Sequence, residues 1–92
     1  MSESSEELTI HEAIVLLPAH LHARPAGALV QAAAKFQSTV EVVYGGRTAN
    51  ARGVLAVMSL GALAGTYVLL RATGPDAEKA VATLAEVLVT AQ

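Results

Sequence analysis

Pro18, the Gly45-Gly46 pair, Gly61, Gly65 and the Gly74-Pro75 dipeptide cut a strongly apolar chain into short pieces, and the pieces change periodicity from one to the next. Leu8 to Leu17 alternates and then runs apolar, as a first strand does, and Pro18 ends it. Ala26, Leu29, Val30, Ala33 and Phe36 recur at helical spacing, predicting a helix from about Ala23 to Phe36. Thr39, Val40, Val42, Val43 and Tyr44 are β-formers. The Gly45-Gly46 turn returns the chain through Arg47 to Asn50, giving a hairpin. Val54 to Leu60 reads as a short apolar helix or turn, and Thr66 to Ala72 as a fourth strand. Asp76 stands as an N-cap before a last helix whose face is Ala77, Ala80, Val81, Leu84, Leu88 and Ala91.

The order is therefore β-α-β-β-α-β-α. Too few helices exist to cover both faces of a sheet, so an open-faced α+β sandwich is the economical architecture. A chain of 92 residues supports one core and no second domain, with residues 8–92 as that domain and 1–7 as an acidic, flexible tail carrying Glu3, Glu6 and Glu7. Apolar residues make up 53% of the chain but aromatics only 3%, so the core must be built from Ala, Val and Leu, and the function must sit on the surface.

Several function classes drop out. A net charge of −2 lacks the basic footprint of a nucleic-acid binder. The absence of cysteine removes disulfides, thiol catalysis and cysteine-based zinc sites. Gly53 to Leu70 carries no charged side chain and is about long enough to span a bilayer, but Gly61, Gly65, Ser59 and Thr66 interrupt it. A helix, a turn and a buried strand fit better than membrane insertion. The polar, acidic start is the reverse of a secretory leader, so a cytoplasmic location is expected.

The chemistry concentrates in His20 to Gly27, H-L-H-A-R-P-A-G. The helix should begin close to His22, because Pro25 is tolerated in a first turn, where its missing N–H costs no intrahelical bond. Backbone N–H groups of Ala23 and Arg24, the positive dipole end and the Arg24 guanidinium then surround an imidazole. A nucleophile and an anion site coincide. Imidazole is largely uncharged at cytosolic pH, so a ring nitrogen can attack phosphorus without a separate base. Phosphoryl transfer asks chiefly for positioning and charge stabilisation, which these groups supply.

L-H-A-R-P-A at Leu21 to Ala26 resembles the active-site motif of HPr, the histidine-containing phosphocarrier family of the bacterial phosphoenolpyruvate-dependent sugar phosphotransferase system. A second block, G-R-T-A-N-A-R-G-V-L-A-V-M-S-L-G-A from Gly46 to Ala62, is similar to that family's second motif. The resemblance implies a four-stranded antiparallel sheet with three helices on one face. It implies that His22 is phosphorylated at Nδ1 by phosphorylated enzyme I and passes the group to IIA domains of sugar permeases, with Arg24 assisting. It also implies an exposed docking patch at Val54, Leu55 and Met58, bordered by Gly27 and Arg52. No cofactor is implied.

The chain departs from the family pattern twice. Many relatives place a regulatory serine directly after the basic residue of the second motif, whereas Gly53 follows Arg52 here and has no hydroxyl to phosphorylate. His20 stands where the family commonly has glycine; if that position needs φ > 0, either the loop before the site is reshaped or His20 acts on the site as a modulator.

Other readings stand beside this one. A carrier in a regulatory, nitrogen-related branch is not separable by sequence from one serving sugar uptake, towards which the G-R-T-A-N-A-R and M-S-L-G-A stretches of the second motif tilt. A non-catalytic interaction module would use His22 only as a contact residue. His20 and His22 form an H-x-H pair that shares a face on extended backbone, as metal ligands do, but no carboxylate or cysteine is close in sequence and no metal site is assigned. His11 is expected on the solvent face of the first strand. Arg47, Arg52 and Arg71 read as solvated charges, with Arg52 able to steer acidic partners.

Overall fold

The computed structural model describes residues 9–91, so the expected acidic tail lies outside the described residues. Its elements run β1 (Ile10–Leu16), α1 (Ala23–Ala33), β2 (Thr39–Tyr44), β3 (Arg47–Asn50), α2 (Val54–Ser59), β4 (Tyr67–Thr73) and α3 (Ala77–Thr90), the order read from the sequence. The four strands form one sheet in the order β1-β4-β2-β3, and every neighbouring pair is antiparallel.

The sheet register decides which residues form the core. Pairing Ala13 with Leu70, Val15 with Val68, and Val42 with both Leu70 and Ala49 stacks these side chains on one face. The helices cover that face: α3 crosses β1, β4 and β2 and packs on α1, while α2 bridges α1 and β3. Leu17, Leu29, Val42, Val57, Val68, Leu70, Leu84 and Leu88 are fully buried, and small residues such as Ala26, Ala33, Ala72 and Ala80 let helix and sheet backbones approach. Phe36 and Tyr44 only flank this aliphatic core.

The opposite face is open. Ile10, Ile14, Leu16 and Tyr67 are exposed on it. Register also overturns the expected placement of His11, which pairs with Ala72 and alternates with Glu12, so it lies half-buried on the helix-covered side. Arg71 is no free solvated charge either. It lies on the open face between Glu12, 3.5 Å away, and Glu41, 3.3 Å away, the residues paired with it on the two adjoining strands.

Boundaries differ from the sequence reading by a few residues. α1 stops at Ala33, with Lys35 and Phe36 donating to the carbonyls of Ala32 and Ala33 three residues back, a tightened turn that carries Phe36 onto the core edge. β4 begins at Tyr67 and continues to Thr73 because Thr73 pairs with both Ile10 and Thr39. Asp76 does occupy the N-cap position of α3, but its carboxylate makes no bond to that helix. It accepts instead from the backbone N–H groups of Gln37 and Ser38 and from the Ser38 hydroxyl.

The apolar stretch from Gly53 to Leu70 is split among α2, a loop and β4, and among the described residues no helix is long and apolar enough to cross a membrane.

Candidate functional site

β1 ends at Leu16, the chain bends at Pro18 and Ala19, and α1 starts at Ala23. Leu21 is buried, which pins the connection to the core and leaves its neighbours His20 and His22 exposed on either side. His22 is the N-cap of α1, in extended conformation (φ −87°, ψ −164°), and its carbonyl accepts the Ala26 N–H at 2.9 Å. Its side chain makes no capping hydrogen bond, so the ring is not consumed in closing the helix. The first two helical N–H groups belong to Ala23 and Arg24 and point out of the positive end of the dipole. Pro25 follows, buried, with no N–H to satisfy.

The second motif meets the first in space. Leu21 N–H donates to the Ala62 carbonyl at 3.0 Å, and Ala64 N–H donates to His20 Nδ1 at 2.9 Å. An open groove of about 320 Å³ results, lined by His20, Leu21, His22, Met58, Gly61, Ala62 and Leu63. Gly61 and Gly65 bound its loop at φ +67° and +82°, values that favour glycine at both turns. No non-glycine among the described residues has positive φ, so His20 sits without the backbone strain that a glycine-requiring position would impose. Its ring instead accepts the Ala64 N–H, which ties it to the loop after α2.

Next to the groove, α2 buries Val57 and turns Leu55 outward, 75% exposed, with Val54 at 37%. Met58 is half-buried, packing on the core while lining the groove. Gly27 lies on α1, where a side chain would meet nothing within 4 Å. Arg52 is not simply solvated, because its guanidinium donates to the Phe36 carbonyl and ties the β3–α2 connection to the end of α1. Its backbone N–H is held by Asn50 Oδ1 at 2.8 Å. The sequence reading passed over Leu63, 52% exposed on the groove wall. Its position between two turn glycines, just beyond the second motif, was the available signal.

Among the described residues no three His, Cys, Asp or Glu side chains gather as a metal site, and the H-x-H pair has one ring nitrogen already engaged with Ala64. A larger groove, about 530 Å³, lies between β1 and α3, lined by Ile14, Val15, Leu16, Ala82, Ala85, Glu86 and Val89. It offers no nucleophile beyond the Glu86 carboxylate.

Fold and site together define a small open-faced sandwich that presents an accessible imidazole at a helix start beside an apolar shelf. The family model described as the PTS HPr component phosphorylation site matches residues 10–90, and the chain belongs to this HPr phosphocarrier family. It is 34% identical over 74 residues to the phosphocarrier protein HPr of Buchnera aphidicola, covering 80% of this chain and 87% of that protein. Among solved structures it is similar to HPr from Bacillus anthracis (TM-score 0.81, 32% identity, 87% of this chain and 98% of that one). It is also similar to Crh, the catabolite repression HPr of Bacillus subtilis, in its solution structure (TM-score 0.73, 35% identity, 89% and 98%). The four-stranded antiparallel sheet with three helices is thus the HPr fold.

Proposed function

We propose that the chain carries a phosphoryl group on His22 Nδ1, taken from phosphorylated enzyme I and handed to IIA domains of sugar permeases. The observation that carries this reading is the exposed His22 ring at the α1 start, which caps nothing, in a chain of the HPr family. In the forward step the Nδ1 lone pair attacks phosphorus as the donor's nitrogen–phosphorus bond breaks. If the donor is also a ring nitrogen, each imidazole keeps its other N–H and no net proton moves. The Ala23 and Arg24 N–H groups and the Arg24 guanidinium stabilise the equatorial oxygens. The group returns by the reverse chemistry, so the chain acts as a stoichiometric intermediate in a cytoplasmic relay, not as an enzyme with its own turnover.

Partners arrive and leave in turn, which suits a small exposed apolar patch with a polar rim. Val54, Leu55 and Met58 form that patch and Gly27 and Arg52 its border. Regulation by seryl phosphorylation is absent from this reading: Gly53, the α2 N-cap, has no hydroxyl, and the nearby Ser59 hydroxyl donates to the Leu55 carbonyl.

Incubation with phosphoenolpyruvate and enzyme I, followed by mass spectrometry, tests the reading. One acid-labile phosphate should appear and be absent in His22→Ala. No label with a competent enzyme I overturns it.

A further inference from the structure

We infer that His20 is a positioning residue for transfer at His22, its ring replacing a backbone acceptor in the seam that holds the His22 turn against the α2–β4 loop. This rests on the phosphocarrier reading and adds a positioning residue to it.

The seam joins residues 17–21 to residues 62–66. At one end Leu17 N–H donates to the Thr66 carbonyl at 2.9 Å and Gly65 N–H to the Leu17 carbonyl at 2.8 Å; at the other, Leu21 N–H donates to the Ala62 carbonyl at 3.0 Å. Between these ends the chain bends at Pro18 and Ala19, and the intervening loop donor, Ala64 N–H, is met by His20 Nδ1 at 2.9 Å. The same residue's carbonyl accepts the His22 N–H at 2.8 Å. His20 therefore holds the loop with its side chain and the nucleophile's backbone with its main chain. A glycine or alanine here would keep the second bond and lose the first.

The bond fixes the chemistry of the ring. An imidazole accepting at Nδ1 carries its proton on Nε2, and a doubly protonated ring has no acceptor at all. The surroundings add few competing charges. Of the groove-lining residues only His20 and His22 carry ionisable side chains, the loop from Leu60 to Thr66 carries none, Leu16 and Leu17 contribute none, and the first turn of α1 adds Arg24. Asparagine places a carbonyl oxygen at a similar reach, so it can stand in for the ring nitrogen as the acceptor of the Ala64 N–H.

The test compares wild type, His20→Ala and His20→Asn by two readouts: the second-order rate of phosphoryl uptake from phosphorylated enzyme I by rapid quench, and Ala64 amide exchange by NMR in the unphosphorylated protein. At alkaline pH, His20→Ala should slow uptake about tenfold and speed Ala64 exchange by about the same factor. His20→Asn should match wild type in both. A labelled wild type with uptake equal to that of His20→Ala overturns this inference and leaves the phosphocarrier reading standing, whether or not Ala64 exchange changes. An Asn variant as slow as the Ala variant overturns it equally. A wild type that takes no label overturns both.

Discussion

Asp76 and Ser38, 38 residues apart, exchange hydrogen bonds in both directions: Ser38 donates its backbone N–H and hydroxyl to Asp76 Oδ1, and Asp76 N–H donates back to Ser38 Oγ at 3.1 Å. Gln37 N–H adds a bond to Oδ2 at 3.0 Å. The turn before α3 is thereby clamped to the connection leaving α1. Ser38 is buried, with 1% exposure, and among the described residues no buried side-chain polar atom is left unpaired. The clamp matters to the site because α1 is the helix that begins at His22, and its far end is fixed through these bonds.

The clamp makes stability depend on acid pH. The Ser38 hydroxyl, foremost, and the Gln37 N–H favour the charged carboxylate, holding Asp76 below the ordinary aspartate value of 3.8 against a smaller opposing effect of burial. A carboxyl whose folded pKa is depressed contributes stability that is full above its unfolded value and is lost as pH falls through the folded one. Thermal midpoints of wild type should exceed those of Asp76→Asn near neutrality, and the gap should close below about pH 3.8. A gap that is constant down to the acid unfolding limit would contradict this.

Gly74 completes the same junction. At φ +145° its Cα lies so close to Ser38 that an added Cβ would meet Ser38 Oγ at 2.6 Å and Ser38 Cα at 2.7 Å. The second contact is with backbone and cannot be relieved by a rotamer change. Gly74→Ala should therefore lower the urea-unfolding free energy by about 1–3 kcal/mol, while Gly27→Ala, with open space around it, should not.

How far the sequence reaches follows from which interactions are local. Helical and alternating periodicity report one element's buried face, and so the order of seven elements, the Gly45-Gly46 hairpin and the aliphatic core were legible. Asp76 was legible as an N-cap by position only, since its partner Ser38 is brought in by the sheet and no local rule anticipates that exchange. His11 was misplaced because strand parity depends on register with β4, and Arg71 because its carboxylate partners sit on two other strands. At the site, His22 and Arg24 were visible as a local motif, whereas the bond from Ala64 to His20 joins residues 44 apart and needed the fold.

Arg71 and Leu84 should separate surface from core energetics. Arg71 is partly exposed between Glu12 and Glu41, so Arg71→Ala should cost no more than about 1 kcal/mol, and less still in molar salt. Leu84, fully buried on the inner face of α3, should cost about 2–5 kcal/mol as Leu84→Ala, independent of salt. Denaturant titrations at two ionic strengths distinguish them.

Leu55 offers the clearest division between folding and docking. It lies in the first turn of α2 with three-quarters of its surface in solvent, so its side chain does little to hold the core, and an acidic replacement there sits favourably at the positive end of the helix. Leu55→Glu should leave the unfolding free energy within about 0.5 kcal/mol of wild type. If the patch receives phosphoryl donors, the same change removes a central apolar contact and should lower transfer about tenfold at limiting donor. Because His22, Arg24 and the groove are untouched, the rate at saturating donor should recover. His22→Ala should instead give no label at any donor concentration. Transfer kinetics of Leu55→Glu that match wild type at low donor would remove Leu55 from the docking surface.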